Sequence, residues 1–412
     1  MTQPRIWSNR LVFGLLCILV FTIQFDDMIL LPSFGSLTRL IGYAALLTAL
    51  LDVFSRGRFR SLKGAPTWAF LLVGWAVLSV TWTSSPDSTI DKLPTIVRCL
   101  GLFWLLYEYA DSEDRISAVL QAYLLGGWVC IAGIAHSLLA GQFMDDSEFT
   151  RYVVSQLDPN DLAAMLAIGL PIAWYLAMTR RFSPLRWLNI LYIPVSLIAV
   201  LLTGSRGGLV AVSAAFLLSM WGSPTWTLRR KMGMSLLSVL VLAGGSLVVP
   251  ETSWMRFSTI PGEMSEGTLS YRTTLWTAGF QYLSESPLLG GGAGAFKHEV
   301  FARGGFYKPL VALSTFLGVL FEMGTIGFLL FVVTVISLLR RLRFVPIRDR
   351  RFFQFVLITW IIAGLTLSLE YRKVTWFVLG VAAAAVARSP WLSAASDEDI
   401  LPADAQSGAD GG

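Results

Sequence analysis

The chain has 412 residues, 55% of them hydrophobic and 14% charged, with a formal net charge of +5. A mean hydropathy of +0.64 leaves too little polar surface for a soluble domain of this length. The positive charge is no sign of nucleic-acid binding, because in a membrane chain the placement of basic residues reports orientation.

Apolar runs long enough to cross a hydrocarbon core of ~30 Å recur from end to end, and the short alternating segments of a β-barrel do not. The sequence predicts an all-α integral membrane protein of about twelve transmembrane helices. The runs fall near residues 11–25, 36–54, 66–83, 93–110, 116–140, 159–179, 187–204, 207–222, 232–250, 312–339, 352–370 and 373–388. Residues 1–390 form a single polytopic membrane domain, with a long, partly helical loop at 251–311 before the tenth span. The acidic, small-residue tail 391–412 reads as disordered.

The first run, Leu11 to Phe25, is followed by Asp26 and Asp27 rather than by a small-residue cleavage site, so it is expected to remain as a span. Cys17, Cys99 and Cys130 all lie in apolar runs. Their odd number and lack of framework spacing argue against structural disulfides and a zinc site, and they read as core packing. No internal repeat of fixed period is visible.

With the N-terminus in the cytoplasm, alternating the spans gathers about 20 of the 32 basic residues into short cytoplasmic segments. They are Arg5, Arg10, Arg56, Arg58, Arg60, Lys63, Arg115, Arg180, Arg181, Arg186, Arg229, Arg230, Lys231, Arg340, Arg341, Arg343, Arg348, Arg350, Arg351 and Arg388. The opposite side receives acidic connections, among them Asp26–Asp27, Asp87 and Asp91, and Asp145, Asp146 and Glu148. Both termini are then cytoplasmic, and loop 251–311, Arg206, Arg372 and Lys373 are external.

His136 falls inside the fifth run and reads as a packed, neutral histidine. "LDPNDLAAML" (157–166) opens the sixth run with Asp158 as N-cap, Pro159 at the first helical position and Asp161 at the positive helix end. Capping accounts for all three, and a place near a substrate is the alternative. In "LLTGSRGGLVAV" (201–212), Arg206 lies between glycines that suit a tight hairpin. It is either an arginine snorkelling to external water or a fixed cation at the mouth of an external cavity.

Within the long loop, "YRTTLWTAGFQYLSESP" (271–287) predicts a helix stopped by Pro287, with an apolar stripe of Leu275, Trp276, Gly279, Phe280 and Leu283. Arg272 lies on that stripe, either stacked on Trp276 or aimed at an anion. "PLLGGGAGAF" (287–296) is a tight turn or, through its backbone N–H groups, a phosphate cradle; it is no Walker motif, since no Gly-Lys-Ser/Thr follows. His298 is a loop histidine able to titrate near neutral pH, or a surface residue without a role.

Three stretches in order, "GSRGGLVA" (204–211), "YRTTLWTAGFQYLSESPLLGGGAGAF" (271–296) and "ALSTFLGVLFEMGTIGFLLF" (312–331), resemble the bacterial O-antigen ligase and polysaccharide polymerase superfamily, and "DPNDLA" (158–163) resembles that family's segment before a central span. The resemblance covers most of residues 158–340. It implies an inner-membrane glycosyltransferase of surface polysaccharide or exopolysaccharide biosynthesis. The donor is a glycan carried on undecaprenyl pyrophosphate, and the acceptor is another lipid-linked repeat (polymerase) or a lipid A core (ligase). A flippase and chain-length-control proteins are the implied partners, besides membrane lipid.

Arg206 and Arg272 match the positions of the family's pyrophosphate-binding arginines, which would stabilise the leaving group with no metal or other cofactor needed. One departure stands out. Leu313-Ser314 occupies the place of a His-Asn or His-Ser pair whose histidine is the family's general base, and leucine accepts no proton. His298, Glu299 and Glu322 are the substitutes that the sequence offers, although Glu322 falls on nearly the opposite helix face from Leu313 and also reads as a polar packing residue. A twelve-span transporter and a non-catalytic assembly subunit are the competing readings.

Overall fold

A computed structural model describes residues 3–26, 28–31, 35–146, 149–154, 157–179, 184–222, 227–258, 272–303 and 309–389. The acidic tail, Asp27, Glu148, Arg180, Arg181 and the first part of the long loop around Pro261 lie outside the described residues.

Each of the twelve apolar runs falls on a helix. They are α1 (Gln3–Thr22), α2 (Leu37–Arg56), α3 (Ala65–Leu78), α4 (Pro86–Tyr109), α5 (Glu113–Leu139), α6 (Pro159–Thr179), α7 (Pro184–Thr203), α8 (Arg206–Gly222), α9 (Leu228–Ser246), α13 (Thr315–Arg341), α14 (Ile347–Thr366) and α15 (Lys373–Ala387). Among the described residues, three more helices belong to the long loop: α10 (Glu251–Ser258), α11 (Arg272–Glu285) and α12 (Phe296–Ala302). Among the described residues, the remaining regular structure is three short 3-10 helices, Ile23–Phe25, Ser79–Thr81 and Leu342–Phe344, and two small antiparallel ribbons, Leu30–Leu31 with Gly35–Ser36 and Met144–Asp146 with Phe149–Arg151.

By length and composition, α2, α5, α6, α7 and α13 are each long and apolar enough to cross a membrane. A bent pair, Lys231–Ser246 with Glu251–Ser258, would add a sixth, its halves meeting at 113°. The other long helices are shorter in their apolar part or carry charges. Helix α4, for instance, starts at Pro86, seven residues before its apolar run, which adds Asp87, Asp91 and Lys92 to the helix, and Arg98 lies within the run itself.

Helix α6 is the centre. It is apolar all round, which suits a helix enclosed by others, and it packs against α5, α7, α8 and α14. Helix α15 is buried along nearly its whole length against α4; its run of alanines and Gly380 lets the two backbones approach closely.

Helix α13 is broken. Gly324 has φ 63° and ψ −172°, a conformation open only to glycine, and the helix resumes beyond it. The break releases backbone groups inside the bundle, where each must find a partner. The loop 287–294 supplies them. Gly291 and Gly292 donate to the carbonyls of Phe321 and Glu322 (3.2 and 2.8 Å), and Pro287 and Leu288 accept from Thr325 and Ile326 (3.0 and 3.3 Å). The glycine run is therefore a structural plug: the Ala293 N–H is likewise engaged, by Ser79 Oγ, and the Gly294 N–H by the Glu322 carboxylate. The phosphate-cradle alternative is corrected, because these N–H groups already have protein acceptors.

The basic residues of the opposite helix ends also meet one another's elements. Arg56 and Arg60 hold Tyr109 and Tyr107 at the end of α4, Arg115 reaches Asn9, and Arg348 and Arg388 both pair with Glu113. His136 departs from expectation. It lies on the exposed face of the last turns of α5, beside exposed Leu139, because only the other face of that helix meets the bundle.

Candidate functional site

The end of the bundle away from that basic cluster holds a cavity of about 500 Å³. Ile23 and Asp26 line it from the end of the first helical segment, Arg39 from α2, and Lys92, Thr95 and Arg98 from one face of α4. Asp158, Asn160 and Asp161 contribute from the start of α6, Leu313 from the approach to α13, and residues 367–374 from the α14–α15 connection.

The local reasons are legible. Asp158 caps α6 by accepting from the N–H groups of Asn160 and Asp161 at 2.8 and 3.2 Å, as the sequence predicts. Ser36 caps α2 and also donates to Asp26 Oδ1 at 2.5 Å. Ser314 caps α13, which leaves Leu313 at φ 52°, the left-handed region that a leucine enters only under strain.

The cavity's charges are unevenly matched. Lys373 pairs with Asp26 and Arg372 with Asp161. Burial works against ionisation of Asp26, yet Lys373 beside it and the hydrogen bonds from Lys373 and Ser36 hold its carboxyl below the usual value. Among the described residues, Arg39, Lys92 and Arg98 make no ion pair with a carboxylate; Lys92 lies over the Tyr371 ring, 4.8 Å from its centroid. Three cations without carboxylate partners on one wall suit an anionic guest.

The two predicted arginines stand beside this cavity. Arg206 is the first residue of α8, directly after the turn at Gly204 (φ 61°). The preceding Ser205 caps α8 by accepting from Gly208 N–H at 3.1 Å, and it donates to Asn160 Oδ1 at 2.8 Å, on the cavity wall. Arg272, the first residue of α11, donates to the carbonyl oxygen of Thr366 at 2.9 Å, one residue before Leu367 of the cavity. A Cβ on Gly207 would strike the Thr366 side chain, so both arginines belong to elements that meet at Thr366. Arg151 and Arg256 both approach Gly204 in this turn, and Arg151 donates to the Thr203 carbonyl at 2.9 Å and to Asn160 at 3.0 Å. Neither Arg206 nor Arg272 is on the wall itself.

The three carboxylate and imidazole candidates from the sequence go to different places. His298 is exposed on α12, and Glu299, on the same short helix, lies 3.9 Å from Arg303. Glu322 is buried at the break in α13, where its Oε2 accepts from Gly294 N–H at 2.8 Å and from the Tyr371 hydroxyl. Beside it is a second, small cavity of about 30 Å³, enough for roughly one water, lined by Lys92, Lys297, Gly318, Glu322, Glu370 and Tyr371 among others.

Sequence reasoning missed Glu370. It was counted as the last residue of the eleventh run, but α14 ends at Thr366 and Glu370 stands in the connection that follows. Its carboxyl packs on Gly318, where an added Cβ would lie 2.9 Å from Oε1, and its Oε2 is buried without a hydrogen-bond partner. Burial pushes this carboxyl up to about 8, with the neighbouring Glu322 carboxylate adding to the effect. Lys92 and Arg98 were missed too. Arg98 lies within an apolar run, and a charge there is the signal that should have drawn attention to it.

A model of the O-antigen ligase family matches residues 191–332, a segment that holds Arg206, Arg272, the glycine plug and the break in α13. With the ordered motifs, that match supports an O-antigen ligase or polysaccharide polymerase superfamily member. It supports O-antigen ligase- or polymerase-type work in polysaccharide assembly. Comparison with curated proteins returned no match.

Proposed function

We propose that the protein is a glycosyltransferase that polymerises lipid-diphosphate-linked oligosaccharide units at the periplasmic face of a bacterial inner membrane. The observation that carries this reading is the meeting at Thr366 of the elements that bear Arg206 and Arg272, beside a cavity lined by cations. Glycosyl transfer from a lipid diphosphate builds negative charge on the leaving phosphate, and a fixed pair of guanidinium groups stabilises that charge without reorganising. Arg206 and Arg272 would grip the diphosphate at the rim, and the cavity would receive the acceptor sugar.

The orientation rests on the positive-inside pattern. All the cavity-lining helix ends are those assigned to the external side, and the arginine-rich ends are those assigned to the cytoplasm. On this reading all twelve helices span or enter the membrane. Polymerisation is favoured over transfer to a lipid A core because Leu313 stands where the family's ligase-type histidine would be.

The transporter reading gains one observation, the broken helix α13, since transporters bind substrates at such breaks. Its freed backbone groups, however, are engaged by loop 287–294 and do not face an open site.

The test is deletion of the chromosomal gene followed by analysis of surface glycans and of lipid-linked glycan. Accumulation of single lipid-linked repeats supports a polymerase, loss of glycan from lipid A points to a ligase, and unchanged glycans refute both.

A further inference from the structure

Transfer of a sugar onto a hydroxyl requires a group that takes the hydroxyl's proton. If the cavity receives the acceptor, that group belongs among its lining residues. Four carboxylates line it: Asp26, Asp158, Asp161 and Glu370. Asp26 is paired with Lys373, Asp161 with Arg372, and Asp158 is occupied in capping α6. The Tyr371 hydroxyl donates to Glu322. Glu370 is left, with one carboxyl oxygen that has no partner.

Its position fits the task. Glu370 and Leu313 line the same cavity, and the Glu370 carboxyl rests on Gly318, one turn beyond the cap of α13 that Leu313 precedes. Glu370 stands four positions after Thr366, the carbonyl anchor of Arg272. One short stretch thus carries both a carboxyl group that lines the cavity and, beside the cavity, the carbonyl that anchors Arg272.

We propose that Glu370 is the proton acceptor of the reaction, doing the work for which Leu313 has no chemistry. This rests on the glycosyl-transfer reading above. The acceptor oxygen attacks the anomeric carbon and its proton passes to the Glu370 carboxylate. The bond between the anomeric carbon and the phosphate oxygen breaks, and its electron pair leaves with the lipid diphosphate, next to Arg206 and Arg272.

The groups facing Glu370 are Glu322 from α13, Lys92 from α4, Lys297 from α12, and Tyr371 and Arg372 from its own connection. Burial and Glu322 favour the protonated form, while Lys92 and Arg372 favour the ionised one. A base must be ionised to act, so the rate should rise with pH and level off above about 8.

The experiment uses purified full-length protein in liposomes with lipid-linked glycan extracted from the deletion strain. Release of lipid diphosphate is followed from pH 6 to 9, and retention of the lipid-linked glycan is measured separately. Glu370→Gln is expected to lower the rate at least ~100-fold at every pH and to leave retention unchanged; Glu370→Asp keeps part of the rate with an altered pH profile. Gly318→Ala, which displaces the carboxyl without altering it, is expected to lower the rate about 10-fold and serves if Glu370→Gln does not fold. Wild-type rate and pH profile in Glu370→Gln, or in Gly318→Ala where that variant stands in, would overturn the proposal while leaving glycosyl transfer intact. Wild-type protein that leaves the lipid-linked glycan unchanged overturns both.

Discussion

The Arg272 guanidinium donates to the main-chain carbonyl of Thr366 at 2.9 Å, joining the first residue of α11 to the last of α14. The Thr366 side chain lies against Gly207, the residue after Arg206. Two arginines 66 positions apart in sequence are thereby fixed relative to a third segment that neither adjoins.

Lysine in place of either arginine keeps the charge but loses the planar donor fork that pairs with two phosphate oxygens. Arg206→Lys and Arg272→Lys are each expected to lower glycan output about 10- to 100-fold, the equivalent of ~1–3 kcal/mol. Membrane insertion should stay normal. The check is surface-glycan yield against the amount of protein in the membrane fraction; normal yield from both variants refutes the diphosphate clamp.

Gly207→Ala places a methyl group on Thr366. Overpacking of this kind costs about 1–3 kcal/mol, and here it also pushes the α8 turn away from α14. Lower thermal stability in detergent and lower glycan output are expected together. Thr366→Ala removes the hydroxyl nearest the new methyl and should restore part of both, its Cβ still standing 3.0 Å away. A double variant no better than Gly207→Ala alone would count against this contact.

Gly324→Ala tests the plug. Its φ of 63° is unfavourable for alanine, and the added Cβ would lie 2.5 Å from the Gly290 nitrogen. We expect a clear fall in thermal stability, with faster hydrogen exchange across 287–294 as the loop leaves the break. Exchange as slow as in wild type would mean that the loop and the break are not coupled.

The Asp26–Lys373 pair gives a pH signature. The folded protein holds the Asp26 carboxyl below its usual value, 3.8, so the group contributes stability above its unfolded value and loses it as pH falls through the folded one. Asp26→Asn should therefore melt lower than wild type at neutral pH, and the gap should close below about pH 4. Melting curves between pH 3 and 7 decide this; a gap that persists undiminished in acid removes the pair from the account.

Orientation is open to labelling. With Cys17, Cys99 and Cys130 replaced by alanine, a single cysteine at exposed His298 is expected to react with an impermeant maleimide from the periplasm. One at Arg343 should react only after the inner membrane is breached. The reverse pattern would place the cavity in the cytoplasm.

The local order of the chain was legible in its residues. Asp158 at the start of α6, Gly204 and Arg206 at the hairpin, and Arg272 to Pro287 as a helix and its stop were all readable, because caps, turns and apolar periodicity depend on neighbours a few positions away. The same holds for the buried Cys99 and Cys130, each set in an apolar run.

Only the tertiary structure decided which of these segments share a cavity. Lys92, Arg98 and Arg39 come from the third of the chain that carried no motif, and they face Arg372 and Lys373 from the last connection. Glu370 read as the end of a span, and nothing near it in sequence signals a buried carboxyl oxygen with no donor. Its state is set by Gly318, Glu322 and Lys92, which arrive on two other helices. Helix formation is a matter of short-range sequence. The field and solvation around a side chain belong to whatever packs against it, and in a bundle of crossing helices those groups come from distant parts of the chain.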